Sequence, residues 1–316
     1  MRRALTGLST ALLMVATSVA GAWSAQAETS PSIPGAMART YDGGDLRVRR
    51  DLGGTSDYTR HAITYRSGDL TITGIMNRPR GTGPFPVVVL AHGHIDPDVY
   101  VTGQGFNREQ DWLARHGYVA LHVDYRNHAG SDRDPSSDLN LRIGYAEDVI
   151  NAGLAVRSST LPFIDTERVA LLGRSMGGGV AFQALVIKPG VFDAVVTYAS
   201  TSTNTADNFN RWQRSDSPLG ARIMQRYGAP EDSVGAWRTM SARPYLWRVT
   251  EPVLMIHGTA DESCPIRWAR ETAAALEQQG KDVRLVEYRG AGHYLYGPWA
   301  DSIRTVDRFL RRHLDL

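Results

Sequence analysis

The stretch that decides the fold is Gly173-Arg174-Ser175-Met176-Gly177-Gly178-Gly179, which holds the pattern G-x-S-x-G. An apolar run, residues 168–172, precedes it, and a helix-forming run, residues 180–185, follows it. A strand, a sharp turn and a helix in this order predict a nucleophile elbow, where a serine hydroxyl is exposed at a strained turn. Glycines suit such a turn because a Cβ there would collide with the neighbouring strand or helix. The stretch therefore predicts that Ser175 is a nucleophile.

Two further polar residues follow predicted strands in the chain order of a Ser-Asp-His triad. Asp261 comes just after the buried strand predicted at 252–257, and His293 lies in a glycine-rich loop after the strand predicted at 282–288. Because the carboxyl ends of parallel strands gather at one edge of a sheet, the three residues are expected to meet there. Taken singly, Asp261 is also typical of an ordinary turn, and His293 of a structural histidine. Their joint placement favours the triad.

The oxyanion hole is expected between the elbow and the loop His92-Gly93-His94, which follows the apolar strand predicted at 85–91. Such a hole takes one N–H from the residue after the nucleophile, here Met176, and one from this loop, which we assign to His94 and less firmly to Ile95. His92 is expected to fix the loop rather than act as a base. His92 and His94 with a nearby aspartate are only a weak metal signal, because no cysteine or glutamate cluster supports it. We therefore expect neither a metal nor a cofactor.

Several stretches together resemble one known family. They are residues 88–94, 113–120, 123–126, 173–178, 241–244 and 256–261, the pair Pro265-Ile266, and residues 290–293. From about residue 60 onward, the chain resembles an α/β-hydrolase, specifically the catalytic domain of the prolyl oligopeptidase family. The resemblance implies a serine hydrolase with the triad Ser175, Asp261 and His293. The chain departs from the family in two ways: it leaves no room for an N-terminal β-propeller, and the usual His-Gly-Gly-Pro loop reads His92-Gly93-His94-Ile95.

Strand and helix patterns alternate along most of the chain. This alternation predicts an α/β fold with a mostly parallel sheet and helices on both faces. A hairpin at 62–76 brings the number of predicted strands to eight, the number in the α/β-hydrolase fold. The other strands are predicted at 85–91, 117–123, 168–173, 193–199, 252–257 and 282–288, and the helices at about 104–116, 141–157, 176–187, 265–279 and 298–313.

Residues 201–248 interrupt this alternation and are predicted to form a small helical cap over the site. The insertion is rich in aromatic residues, and we expect Trp212 and Trp237 to line a substrate pocket together with Ile95 and Tyr294. The sequence leaves open whether these aromatic residues only bury the insertion against the body.

The first 27 residues have the features of a cleaved signal peptide: Arg2-Arg3, an apolar region from Leu8 to Ala20, and Ala25-Gln26-Ala27 before Glu28. This predicts a secreted protein without a stable membrane anchor, an irregular arm at 28–58 and a catalytic domain at 59–316. The predicted mature chain has 33 basic and 33 acidic residues, so nucleic acid is not an expected partner. The single cysteine, Cys264, is expected to be a packing residue, with a second nucleophile as the less favoured reading.

The expected chemistry is hydrolysis through an acyl-enzyme on Ser175, with a small ester or a short peptide as substrate. The two departures from the family favour carboxylic esters, and the alternative is a peptidase of the prolyl oligopeptidase type. A non-catalytic binding protein on a hydrolase scaffold is a third possibility, which the complete triad disfavours. The oligomeric state is not predictable from these features.

Overall fold

A computed structural model describes residues 31–215 and 217–316. The signal peptide predicted at 1–27 lies outside the described residues. The strands are β1 Gly44–Gly54, β2 Tyr58–Ser67, β3 Leu70–Pro79, β4 Phe85–Ala91, β5 Val119–Val123, β6 Ile164–Arg174, β7 Ala194–Tyr198, β8 Val253–Gly258 and β9 Val283–Tyr288. The helices are α1 Ile33–Met37, α2 Asn107–Arg115, α3 Ile143–Arg157, α4 Met176–Ile187, α5 Thr205–Trp212, α6 Pro218–Tyr227, α7 Val234–Thr239, α8 Ile266–Gln278 and α9 Trp299–His313, with a 3₁₀ helix at Arg243–Arg248.

All of these strands form one sheet in the order β1-β2-β3-β5-β4-β6-β7-β8-β9. The first three are joined to each other and to β5 by antiparallel pairing, and every other pair is parallel. Parallel neighbours need a crossover connection, which the helices between them supply. The carboxyl ends of β6, β7, β8 and β9 therefore lie side by side at one edge.

The core is divided by the sheet into two layers, as the alternation of side chains along a strand requires. In β4, Val87 and Val89 pack with α1, α3, α4 and α8 on one face. Val88 and Leu90 pack with α2 and α9 on the other face. Both faces are covered, which explains why the inner strands β4, β5, β7 and β8 are almost continuously apolar.

The predicted α/β fold with a mostly parallel sheet and helices on both faces is confirmed, with two corrections near the N-terminus. The sheet has nine strands in the described residues, not eight. The prediction of an irregular arm at 28–58 is wrong for its described part, which contains α1 and β1. Ile33 of α1 is fully buried in the main core, and β1 pairs with β2 along its length. Most residues of β1 are exposed, so it lacks the alternating pattern from which a strand is predicted.

The insertion at 201–248 is helical, as predicted, and contains α5, α6, α7 and the 3₁₀ helix. It has a small core of its own, centred on Phe209, Ile223, Trp237 and Met240. In the described part of the chain, no helix is both long enough and apolar enough to cross a membrane.

Candidate active site

Ser175 stands at the sharp turn between β6 and α4. Its φ of 54° lies in the left-handed region that a residue with a side chain rarely adopts. Two contacts hold the turn: the Ser175 N–H donates to the Tyr198 carbonyl at 2.9 Å, and the Ser175 carbonyl accepts from the Thr201 N–H at 3.1 Å. A Cβ on Gly177 would lie 1.9 Å from the Ala91 carbonyl oxygen. Only glycine fits there, so the elbow predicted from the sequence is built as expected.

Asp261 and His293 are brought together by the loops after β8 and β9. The Nδ1 of His293 lies 3.0 Å from Oδ1 and 2.9 Å from Oδ2 of Asp261, and both residues are buried. A carboxylate only accepts hydrogen bonds, so Nδ1 carries a proton, and the tautomer with that single proton has its lone pair on Nε2. Ser175 and His293 line the same cavity. The three residues therefore meet at one edge of the sheet, in an arrangement suited to general-base activation of a serine.

Asp261 is held in its ionised form by donors that sequence reasoning missed. Burial acts against the charge, but hydrogen bonds from His257, from His293 and from the Cys264 N–H together outweigh it and hold the pKa of Asp261 well below its usual range. The Cys264 N–H lies 2.8 Å and the Ser263 N–H 2.9 Å from Oδ1. The available signal was the position of His257, four residues before Asp261 at the end of a buried strand.

The two backbone groups expected at the oxyanion hole lie beside the elbow. Met176 is the first residue of α4, where a backbone N–H has no partner within the helix. A Cβ built on Gly93 would lie 3.3 Å from the Ser175 Cβ, so the loop with His94 runs against Ser175. Met176, His94 and Ile95 all line the cavity of Ser175. Whether the two N–H groups bind an oxyanion stays a prediction.

A cavity of about 710 Å³ opens in front of Ser175. Its walls come from the oxyanion loop, the start of α4, the segment before α3 and the insertion. Of the four residues predicted to line a pocket, three do so: Ile95, Trp212 and Tyr294. Trp212 and Tyr294 are 47% and 52% exposed, which places them at the rim.

The prediction that Trp237 lines the pocket is wrong. Its side chain is 2% exposed, its ring centroid lies 4.7 Å from that of Phe209, and its indole N–H donates to the Gly228 carbonyl at 3.1 Å. It therefore packs inside the insertion. Sequence pattern did not separate it from Trp212, because both tryptophans occur on short amphipathic helices of the same segment.

Cys264 is fully buried beside the triad and contacts the Ser175 hydroxyl. Burial, and then the negative charge of Asp261, raise the pKa of its thiol to about 12. Only the thiolate is a strong nucleophile, so the burial and the raised pKa of Cys264 both support the expected packing role.

His92 lies in the core under the oxyanion loop, where its ring contacts the Gly93 and Asp124 carbonyls and stacks on Tyr100. Burial, and then the neighbouring His122 and His128, lower its pKa to about 3, so the ring is neutral. The described residues contain no group of three or more histidine, cysteine or acidic side chains arranged to hold a metal.

Sequence reasoning missed further residues around the cavity, above all Leu141 and Arg142, which precede α3 and line the wall. Their φ angles are 51° and 60°, so two consecutive non-glycine residues are left-handed. It also missed Glu109, a buried carboxylate that forms an ion pair with Arg174 at the elbow. No local pattern marked these residues, because their approach to the site depends on the packing of α2 and α3.

Comparison with known proteins gives one family. The model of the prolyl oligopeptidase family (Peptidase_S9) matches residues 104–316. The uncharacterized peptidase YuxL of Bacillus subtilis is 27% identical over 248 residues, covering 74% of this chain and 35% of the relative. The chain spans about a third or less of the length of the first curated relatives that it matches.

Among solved structures, an acylaminoacyl peptidase in complex with Z-Gly-Gly-Phe-chloromethyl ketone is similar with a TM-score of 0.63 and 24% identity, covering 82% of this chain and 42% of that one. An acetyl xylan esterase from Paenibacillus sp. R4 is similar with a TM-score of 0.65 and 19% identity, covering 89% and 92%. At such identities, these two structures bear on the fold alone. From the family match, together with this fold, we conclude that the chain belongs to the prolyl oligopeptidase family and has the α/β-hydrolase fold.

Proposed function

We propose that the protein is a serine peptidase that cleaves short peptides through an acyl-enzyme. The observation that carries the proposal is the family match over residues 104–316, which includes Ser175, Asp261 and His293. The preference for esters drawn from the sequence is therefore reversed. The hydrogen bond from the His293 Nδ1–H to Asp261 supports a catalytic role for His293, because it leaves Nε2 free to accept a proton.

The mechanism follows from the placement of the three side chains. His293 accepts the Ser175 proton as the hydroxyl oxygen attacks the scissile carbonyl carbon, and Asp261 stabilises the imidazolium. The backbone N–H groups of Met176 and His94 bind the oxyanion, each such donor lowering the barrier by about 3 kcal/mol. His293 then gives its proton to the leaving amine. In the second half of the reaction, His293 accepts a proton from water as the water oxygen attacks the acyl-enzyme carbonyl. His293 then returns this proton to the Ser175 oxygen as the acyl–oxygen bond breaks, which releases the acid.

Ester cleavage is the second candidate. The loop after β4 reads His92-Gly93-His94-Ile95, which departs from the His-Gly-Gly-Pro usual in the family. An ester and an amide pass through the same tetrahedral and acyl-enzyme intermediates, so the triad serves both.

The test compares matched substrates on the purified protein. Aminoacyl-p-nitroanilides and p-nitrophenyl esters with the same acyl groups are assayed on wild type, on Ser175→Ala, and on Ser56→Ala as an exposed control serine. We expect anilide cleavage that falls by about 10⁴-fold or more in Ser175→Ala, because triad members act as a unit. Ester cleavage without anilide cleavage would favour the second candidate. No turnover and no fluorophosphonate labelling of Ser175 would favour a non-catalytic binding protein.

We also propose that the chain is exported and begins at Glu28 after cleavage, which rests on the sequence of residues 1–27. N-terminal sequencing of protein recovered outside the producing cell tests this. An N-terminus at Met1 in that fraction would contradict it.

A further inference from the structure

The charges around the cavity are of one sign. Two guanidinium groups, those of Arg142 and Arg174, line it, and no aspartate or glutamate lines it among the described residues. The remaining wall is apolar or carries hydroxyl, amide and imidazole groups. Asp261 lies behind His293 and is occupied by its donors. The cavity therefore favours a ligand that is negatively charged.

The charge of Arg174 is compensated inside the protein. Arg174 pairs with Glu109, whose side chain is 1% exposed and also accepts a hydrogen bond from the Trp299 indole at 2.9 Å. Such a buried pair is neutral as a unit, and breaking it would leave an uncompensated buried charge. Arg174 is therefore a part of the scaffold behind the elbow.

The positive charge of Arg142 is compensated much less than that of Arg174. Its Nε lies 2.9 Å from Asp138, whose side chain is 48% exposed, so water screens this pair. Its Nη1 lies 3.2 Å from the His94 Nδ1 and 3.6 Å from the Met176 sulfur. Its Nη2 has no hydrogen-bond partner among the residues that the structure describes. Arg142 thus presents an available donor and a positive charge between the side chains of the two residues assigned to the oxyanion hole.

The position of Arg142 depends on an unusual turn of the backbone just before α3. Consecutive left-handed φ angles at Leu141 and Arg142 are costly for residues with side chains, and such strain is retained where the surrounding structure imposes it. The Arg142 carbonyl accepts from the Tyr145 N–H at 2.9 Å, and the Arg142 N–H donates to the Ser137 carbonyl at 2.9 Å. The turn is therefore fixed on both sides of Arg142.

From this geometry we propose that Arg142 determines specificity by binding a carboxylate in the acyl portion of the substrate. The inference rests on the proposed function, since it concerns the same cavity. His293 must reach the leaving group, whereas Arg142 contacts the residues that bind the scissile carbonyl, so the carboxylate belongs to the acyl side. A guanidinium recognises a carboxylate through paired, charge-assisted hydrogen bonds, which a neutral amide of the same shape forms only weakly.

The test uses two isosteric acyl groups, N-acetyl-glutamyl and N-acetyl-glutaminyl, each carried on a p-nitroanilide and on a p-nitrophenyl ester. We expect wild type to prefer the glutamyl substrates by about 10- to 100-fold in kcat/KM. Arg142→Gln should remove this preference by loss on the glutamyl substrates, and Arg142→Lys should retain part of it. Arg214→Gln is the control, because Arg214 pairs with Glu231 on the insertion and does not line the cavity.

A wild-type preference of one or below, or equal losses on both substrates in Arg142→Gln, would overturn the proposal; equal losses would mean that Arg142 only supports the oxyanion loop. If no anilide is cleaved, the proposed peptidase function fails while the ester pair still tests Arg142. If no ester is cleaved either, protection of Ser175 from a fluorophosphonate by N-acetylglutamate, compared with N-acetylglutamine, gives the same comparison. Equal protection by both compounds would overturn the proposal.

Discussion

At the scale of single residues, the site is built by contacts that restrict the backbone. Ser175 adopts a φ of 54° because its N–H and carbonyl are both bound by the strand and loop beside it. The glycines around it matter for their lack of a Cβ, which lets α4 begin directly against β4. Ser175 is half-buried at the wall of the cavity, and the neighbouring strand and loop hold its strained turn in place.

The orientation of His293 by Asp261 gives a first prediction. Asp261→Asn should reduce turnover by about 10⁴-fold while the protein stays folded, because an amide favours the wrong imidazole tautomer. Asp69→Asn in the exposed β2–β3 turn is the control. Steady-state assays and circular dichroism measure the two effects. Near-normal turnover in Asp261→Asn would show that another carboxylate, with Glu262 the nearest in sequence, orients His293.

The ionisation of Asp261 gives a second prediction, which concerns how the free energy of unfolding depends on pH. Its pKa is lowered in the folded protein from an unfolded value of about 3.9, so the ionised form stabilises the fold above that pH and this contribution is lost as the pH falls further. The difference in free energy of unfolding between wild type and Asp261→Asn should be constant above about pH 5 and shrink below about pH 4. Urea titrations at several pH values measure it. A difference that does not vary with pH would contradict the prediction.

The buried thiol gives a third prediction. Because Cys264 is fully buried and its pKa is raised to about 12, iodoacetamide at pH 8 should leave it unmodified in the folded protein and modify it in urea. Mass spectrometry of the peptide that contains Cys264 reads both states. Rapid modification of the folded protein would mean that the loop of Asp261 opens.

At the scale of elements, the insertion lines the cavity and also has a core of its own, and two of its three tryptophans separate these roles. Trp212→Ala should change the ratio of kcat/KM for short and long acyl chains several-fold, since this side chain lies at the rim of the cavity. Trp237→Ala should instead lower the free energy of unfolding by about 3–5 kcal/mol, because it empties the core of the insertion. Acyl-chain series and urea titrations of both variants distinguish these outcomes. A shift in acyl-chain ratio with Trp237→Ala alone would reverse the assignment.

At the scale of the whole molecule, the segment that precedes the hairpin is part of the core. Ile33→Ala should lower the free energy of unfolding by about 2–5 kcal/mol, because Ile33 is fully buried against the main core. Val48→Ala in β1, where the side chain is 39% exposed, should change it by less than about 0.5 kcal/mol. Equal effects on urea denaturation would show that residues 31–54 are an appendage, as the sequence had suggested.

Sequence pattern alone was sufficient to predict those features of the structure that neighbouring residues encode. The elbow at Ser175 has its own strand, turn and helix, and the loops of Asp261 and His293 each follow a buried apolar strand, so their meeting follows from parallel pairing. Helices and strands from residue 85 onward begin and end within a few residues of prediction, because the strands are short apolar runs and polar or glycine-containing segments separate them from the helices.

Only the tertiary structure decided what depends on packing between distant segments. The edge strand β1 has no apolar period, Trp237 and Trp212 look alike in sequence, and Arg142 reaches the oxyanion loop from a turn 48 positions away. The sequence by itself determined the elbow at Ser175 and the strand ends that carry Asp261 and His293, because strained turns and buried strands are encoded by neighbouring residues. The shape and charge of the substrate cavity were decided by the fold, because side chains from separate elements come together only when the sheet and its helices pack.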